Sequence, residues 1–158
     1  MSAITLRPMT AEELAARLPA LIDDYARDIH RAGRVTVEAA RATAERQIAE
    51  GMPDGLDTAD TLLLVAEDGG RPVGWIWLSL PSAANGRDGA WIYEVLIDAG
   101  ERGKGYGRAI MRGAEEELVR RGVTRMALNV FAGNTAAIQL YESLGYRITS
   151  QQMAKRIR

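Results

Sequence analysis

Residues 97–111 read IDAGERGKGYGRAIM, and the architecture of the chain is best inferred from them. Gly103, Gly105 and Gly107 alternate, flanked by Arg102, Lys104 and Arg108. Glycine at such density is costly, because its backbone loses more freedom on folding than that of any other residue. It is used where bare main chain must come close to something. A run at helical spacing follows, with Ile110, Ala114 and Leu118 on one face. A strand-like run, WIYEVLI at 91–97, precedes it. Strand, glycine-rich turn and helix N-terminus make an anion site, since free N–H groups point outward and the helix dipole favours negative charge. A phosphate is the natural occupant.

Towards the N-terminus, residues 4–7 read as a short strand, and Thr10 with Glu13 forms a capping box for a first helix. Leu14, Leu18, Leu21, Ile22, Tyr25 and Ile29 recur at helical spacing, and Pro19 predicts a kink or a split into two short helices. Thr36 caps a second helix to about residue 50, ended by Gly51-Met-Pro-Asp-Gly55. TLLLVAE at 61–67 and VGWIWLSL at 73–80, joined by Asp68-Gly-Gly-Arg71, make a hairpin. After the glycine loop come a helix over 107–121, a strand over 125–130, a helix over 134–144 and a mostly extended tail over 146–157. Within the first of these, Glu116–Arg120 and Glu117–Arg121 stand at i,i+4 in the favourable order. The order describes one α+β domain, residues 1–158, around a mixed sheet.

Composition limits the partners. The formal net charge is -1, so no global field draws the chain to nucleic acid or a membrane. There are no cysteines and one histidine, His30. Disulfides, zinc–thiolate sites and a cysteine nucleophile are thereby excluded, and no metal site is expected. The first residues, MSAITLRPMT, lack a signal-peptide pattern, and no apolar run approaches the roughly 20 residues of a membrane span. The expected setting is the cytoplasm.

Three phosphate readings compete. A P-loop needs G-x-x-x-x-G-K-[ST], and no GKS or GKT occurs. A dinucleotide fingerprint needs G-x-G-x-x-G, but Arg108 stands where the third glycine belongs. The third reading is a pyrophosphate cradle for coenzyme A. Arg102-Gly-Lys-Gly105-Tyr-Gly107 fits [QR]-x-x-G-x-[GA], and downstream Asn134, Ala137, Leu140, Tyr141, Gly145 and Tyr146 fit N-x-x-A-x-x-L-Y-x-x-x-G-[FY]. This pair of motifs resembles the signatures of the GNAT superfamily of acetyl-CoA-dependent N-acetyltransferases, specifically over 91–146 and more loosely before that. The resemblance implies an α+β fold with a mixed, splayed sheet of about seven strands flanked by about four helices.

It also implies roles. Arg102, Gly103, Lys104, Gly105, Tyr106, Gly107 and Arg108 would wrap the pyrophosphate of acetyl-CoA, mainly with backbone N–H groups. Val95, Leu96 and Ile97 would offer main chain to the pantetheine arm, where the fourth and fifth strands splay apart. Tyr141 would donate a proton to the CoA sulfur, though it also shares a core-like helical face with Ala137, Leu140 and Leu144. Asn134 would cap its helix, touch the cofactor arm, or both. From the residues themselves, Glu94 is the candidate general base: it is a charge inside an apolar strand, with Ile92 and Leu96 as period-2 neighbours. A structural ion pair or a solvent-facing placement is the alternative. With no cysteine, direct transfer in a ternary complex is favoured over a cysteinyl acyl-enzyme.

The acceptor side is less legible. Asp23, Asp24 and Asp28 cluster near Tyr25, and either attract a cationic amine or form a solvated face; the second is favoured. Trp75, Trp77 and Trp91 are read first as packing residues. The expected reaction is acetylation of a small-molecule primary amine. Rival readings are a protein N-terminal or lysine acetyltransferase, a non-catalytic acyl-CoA-binding sensor, and a nucleotide-binding module. A homodimer is compatible with the fold implied, and no residue pattern marks an interface.

Overall fold

A computed structural model describes residues 4–33 and 35–157. Its elements are strand β1 (Thr5–Pro8), helices α1 (Ala11–Gly33) and α2 (Val37–Gly51), strands β2 (Thr61–Asp68), β3 (Arg71–Ser79) and β4 (Ala90–Ile97), helix α3 (Tyr106–Arg120), strand β5 (Met126–Leu128) and helix α4 (Thr135–Ser143). Short 3₁₀ turns span Gly55–Asp57 and Ala99–Glu101. The strands lie side by side in the order β1-β2-β3-β4-β5. All pairs are antiparallel except β4 with β5, which is parallel.

Helices cover both faces. On one, Leu14 and Leu21 of α1 and Ile48 of α2 pack on Leu63, Val65, Trp75 and Trp77. On the other, Ile110, Met111 and Ala114 of α3 pack on Leu64, Val73, Ile76, Leu78 and Ile92. Full burial of each large apolar side chain contributes about 1.5–3 kcal/mol, so β2 and β3, buried on both faces, hold the fold. Two glycines permit close approach. A Cβ on Gly74 would stand 2.4 Å from the Leu96 carbonyl oxygen, and one on Gly51 would stand 2.8 Å from the Trp77 ring.

The helix starts follow the expected chemistry. Thr10 Oγ1 accepts from the Glu13 N–H and Glu13 returns to the Thr10 N–H, while Thr36 Oγ1 accepts from the Ala39 N–H. Arg7 bridges Glu13 and Glu67 and ties the start of α1 to β2. This bonding holds the Glu13 carboxyl near 2. On α3, Arg121 pairs with Glu117 as expected, but Arg120 also turns to Glu117 rather than to Glu116.

Two expectations are corrected. Pro19 lies inside the continuous helix α1, so of the two outcomes expected there the split into two short helices does not occur. The sheet has five strands among the described residues, not about seven. Residues 146–157 join no strand, and beyond Tyr146, which packs on the α3 cluster, Ile148, Met153 and Ile157 stay exposed, so that tail has no apolar face against the sheet to impose a register.

Candidate functional site

The site begins with a parting of strands. β4 pairs with β5 through three residues only, Ala90↔Met126, Trp91↔Ala127 and Ile92↔Leu128. From Tyr93 to Ile97 its edge is open, while β3 continues along the other side. A β-bulge sits at the point of parting: Trp77 faces Glu94, but Leu78 faces Ile92, so Tyr93 is the extra residue. The bulge changes which residues share a face. Trp77 and Ser79 point the same way, hence so do their partners Glu94 and Trp91. Ile92 instead joins the α3 side, so it is not the same-face neighbour of Glu94 that strict alternation implies.

Glu94 is half-buried, just beyond the last paired residue of β4. Burial pushes its carboxyl up to about 7; the Val95 N–H opposes this, and the charges of Asp24 and Asp28 add to it. That Val95 N–H donates to Glu94 Oε1 at 3.0 Å. An amide expected to serve a ligand is therefore held by the candidate base itself. Tyr141, from α4, packs with the α3 cluster on the opposite face of the sheet, near enough to Glu94 for that charge to act on its phenol. Its ring lies 5.7 Å from that of Tyr146, tilted by 54°. Burial, then the charge of Glu94, raises the Tyr141 phenol above its ordinary value, so it stays protonated at neutral pH.

Below the opening lies the glycine loop. Gly103 and Gly105 have φ of 76° and 86°, the left-handed region that a β-branched residue resists. Gly105 is the N-cap of α3 and supplies no side-chain cap, which leaves the first N–H groups of a 15-residue helix available to an anion. Gly107 serves packing instead, since a Cβ there would stand 3.1 Å from Leu140, and its absence lets α3 approach α4. The surrounding side chains are tied to protein. Tyr106 Oη donates to Asp68 Oδ2 at 2.6 Å, Arg102 Nε to the Ile97 carbonyl at 3.3 Å, and Arg108 to Ser143 Oγ at 2.6 Å. Lys104 and Arg71 share Glu101. The loop is thus clamped to the tip of the β2–β3 hairpin, and its backbone amides, more than its cations, remain to receive a ligand. Asn134 caps α4, with Oδ1 accepting from the Ala137 N–H at 3.3 Å.

On the α1 side, the Tyr25 ring lies 6.4 Å from Phe131, which follows β5. Asp23 pairs with Arg41 and Asp24 with Arg27, so those two form the expected solvated face. Asp28 differs: burial raises its carboxyl above the ordinary value, and Asp24 adds to this. Trp75 and Trp77 are core, as expected, while Trp91 lies under the guanidinium of Arg87. Sequence alone does not single out Arg87 or Tyr93. A polar loop and an unbroken strand conceal them, and nothing in the local composition marks a bulge. No cluster of three metal-ligating side chains occurs among the described residues, and no described helix is long and apolar enough to cross a membrane.

A mixed sheet parts beside an uncapped helix N-terminus, and comparison with known proteins assigns the family of this fold. The Acetyltransferase (GNAT) family profile matches residues 19–146, and the chain belongs to that family of enzymes. It is 30% identical over 156 residues to the uncharacterised N-acetyltransferase YdgE of Bacillus subtilis, covering 98% of this chain and 99% of that protein. The crystal structure of YycN from the same organism superposes with a TM-score of 0.92 at 28% identity, over 98% of this chain and 99% of that one. The fold is also that of the PaiA N-acetyltransferase of Thermoplasma acidophilum in complex with coenzyme A, at a TM-score of 0.70 and 17% identity, covering 96% and 94% of the two chains.

Proposed function

We propose that this chain, as one acetyltransferase domain, moves the acetyl group of acetyl-CoA directly onto a primary amine of a small molecule. The observation that carries the reading is the opening beyond Ile92, with Glu94 on one side, Tyr141 on the other and the uncapped start of α3 at its end. Coenzyme A has parts to match. The diphosphate fits the amides of residues 103–107, with Arg102, Lys104 and Arg108 around them. The pantetheine arm fits the open edge of β4 at Val95, Leu96 and Ile97, as an added strand would. Asn134 flanks that arm from the start of α4.

Chemistry at the thioester then follows from the residues present. An alkyl ammonium near pKa 10.4 must lose a proton before it can attack. Glu94, with a carboxyl near 7, is suited to accept that proton at neutral pH, directly or through water. The amine nitrogen forms a bond to the thioester carbon, and the developing oxyanion takes the Val95 N–H. Arrival of that oxygen displaces Glu94 from the amide. The displaced carboxylate loses a bond that favoured its charged form and becomes a stronger base. Collapse breaks the C–S bond, the thiolate takes the proton of Tyr141, and the second proton lost by the acylated nitrogen restores the phenol through water. Amide and free thiol leave, and the proton on Glu94 returns to solvent.

The test is release of CoA thiol from acetyl-CoA on addition of a panel of small amines, with wild type and Tyr141→Phe. Turnover with several amines, lost in Tyr141→Phe, supports the reading. Tight acetyl-CoA binding without turnover on any amine or peptide would instead make the chain a sensor.

A further inference from the structure

Arg87 is held in an unusual way. Its guanidinium carbon lies 5.6 Å from the centre of the Trp91 ring and 5.5 Å from that of Tyr93. Its Nη2 donates to Tyr93 Oη at 3.0 Å. Its Nη1 is buried with no hydrogen-bond partner among the described residues. A buried donor without an acceptor is unfavourable, and a guanidinium more so, because its charge is also uncompensated. The loop that carries Arg87 is rigid: Asn85 bonds to Ser82, the Leu80 carbonyl and the Arg87 N–H. Its far end is fastened to the residue before β5, where the Ala90 N–H donates to the Arg125 carbonyl at 2.8 Å.

Beside Arg87 lies a cavity of about 350 Å³, which Trp91 and Arg125 also line. Its carboxylate, Asp88, is already paired with Arg125 at 2.9 Å. Two guanidiniums and one engaged carboxylate leave the cavity positive. Because the bulge turns Trp91 and Glu94 to the same face, cavity and candidate base lie on one surface. The guanidinium, over residues 91 and 93, stands about two strand residues from Glu94, roughly 7 Å along the strand.

We infer that Arg87 binds a carboxylate of the acceptor, and that the amine to be acetylated lies about 7 Å from it. A dipeptide has that spacing between its termini, and a side-chain amine has it from its own α-carboxylate; the α-amine and carboxylate of one amino acid lie too close. The inference rests on the amine-acetylating reading above and narrows its substrate class to small carboxylate-bearing amines. A guanidinium held beside two rings and tied to Tyr93 Oη has a fixed position, and its unpaired Nη1 is the donor that a carboxylate oxygen would complete.

The test compares acceptors that differ only in the carboxylate: glycylglycine against glycylglycinamide, and L-lysine against cadaverine, by kcat/KM in wild type, Arg87→Met and Arg87→Lys. Wild type should prefer the carboxylate partner of each pair by about tenfold or more. The ratio should fall to near one in Arg87→Met and recover in part in Arg87→Lys. No preference in wild type, or one that persists in Arg87→Met, overturns the inference. A second readout needs no turnover: glycylglycine should change tryptophan fluorescence saturably, through Trp91, and lose that effect in Arg87→Met. If no amine is acetylated but this signal is present and depends on Arg87, the acetyl-transfer reading fails and the carboxylate site stands. Absence of both signals overturns the site as well.

Discussion

Glu94→Gln separates the charge of this side chain from its shape. Burial raises the carboxyl from 4.5 to about 7 in the folded protein. Between those values the folded state holds a proton that the unfolded chain has released, so stability falls as pH rises, and the loss is complete above about 7. At about 1.4 kcal/mol for each tenfold change in proton affinity, the full penalty is about 3 kcal/mol. Solvent at the open side screens part of it and leaves about 2 kcal/mol. Glutamine keeps the volume and an oxygen for the Val95 N–H but carries no charge. The variant and wild type should therefore unfold alike at about pH 4.5. Near pH 8.5 the variant should be more stable by about 2 kcal/mol, a rise in Tm of about 4–8 °C for a domain of this size. Thermal unfolding followed by circular dichroism across that range, at fixed ionic strength, measures it. A difference that does not change with pH, or a variant that loses ground as pH rises, would refute the placement of a strained carboxylate at the opening.

Other consequences can be checked separately. Tyr141→Phe should lower kcat about a hundredfold or more while the KM for acetyl-CoA stays within about threefold; a raised KM at unchanged kcat would make Tyr141 a binding residue. Gly105→Val places a β-branched residue at a φ of 86° and blocks the diphosphate, so calorimetry should show acetyl-CoA binding weakened about tenfold or more; unchanged affinity contradicts that seat. Gly74→Ala forces a methyl against the Leu96 carbonyl and should cost about 2 kcal/mol or more in urea unfolding, whereas a cost below about 0.5 kcal/mol would show that β3 and β4 separate easily.

What could be read from the chain, and what could not, divides along physical lines. The capping residues Thr10 and Thr36, the β2–β3 hairpin and the glycine turn were legible because short-range chemistry determines them. Glu94 stood out as a charge among apolar neighbours. The bulge at Tyr93 did not, since it depends on where β5 leaves β4 and no local residue encodes that. Strict alternation consequently put Ile92 on the wrong face. The split expected as one alternative at Pro19 does not occur for a related reason: packing of Leu14 and Leu21 into the core keeps α1 continuous across a residue that local preference would use as a break. The double role of the loop was hidden too. Tyr106, Arg102 and Arg108 read as ligand contacts, yet each is bonded to protein, and Gly107 serves the packing of α3 on α4. Arg87 was invisible as a site residue because its meaning comes from two rings brought beneath it by the fold.

A crystal structure of the complex with coenzyme A would locate the ligand outright. The diphosphate should lie on the backbone amides of residues 103–107 and the pantetheine along the open edge of β4. The sulfur should fall within hydrogen-bond reach of Tyr141 Oη, about 3–3.5 Å. A diphosphate bound away from that loop, or a sulfur with the Tyr141 phenol turned from it, would contradict the proposed seat and the mechanism built on it.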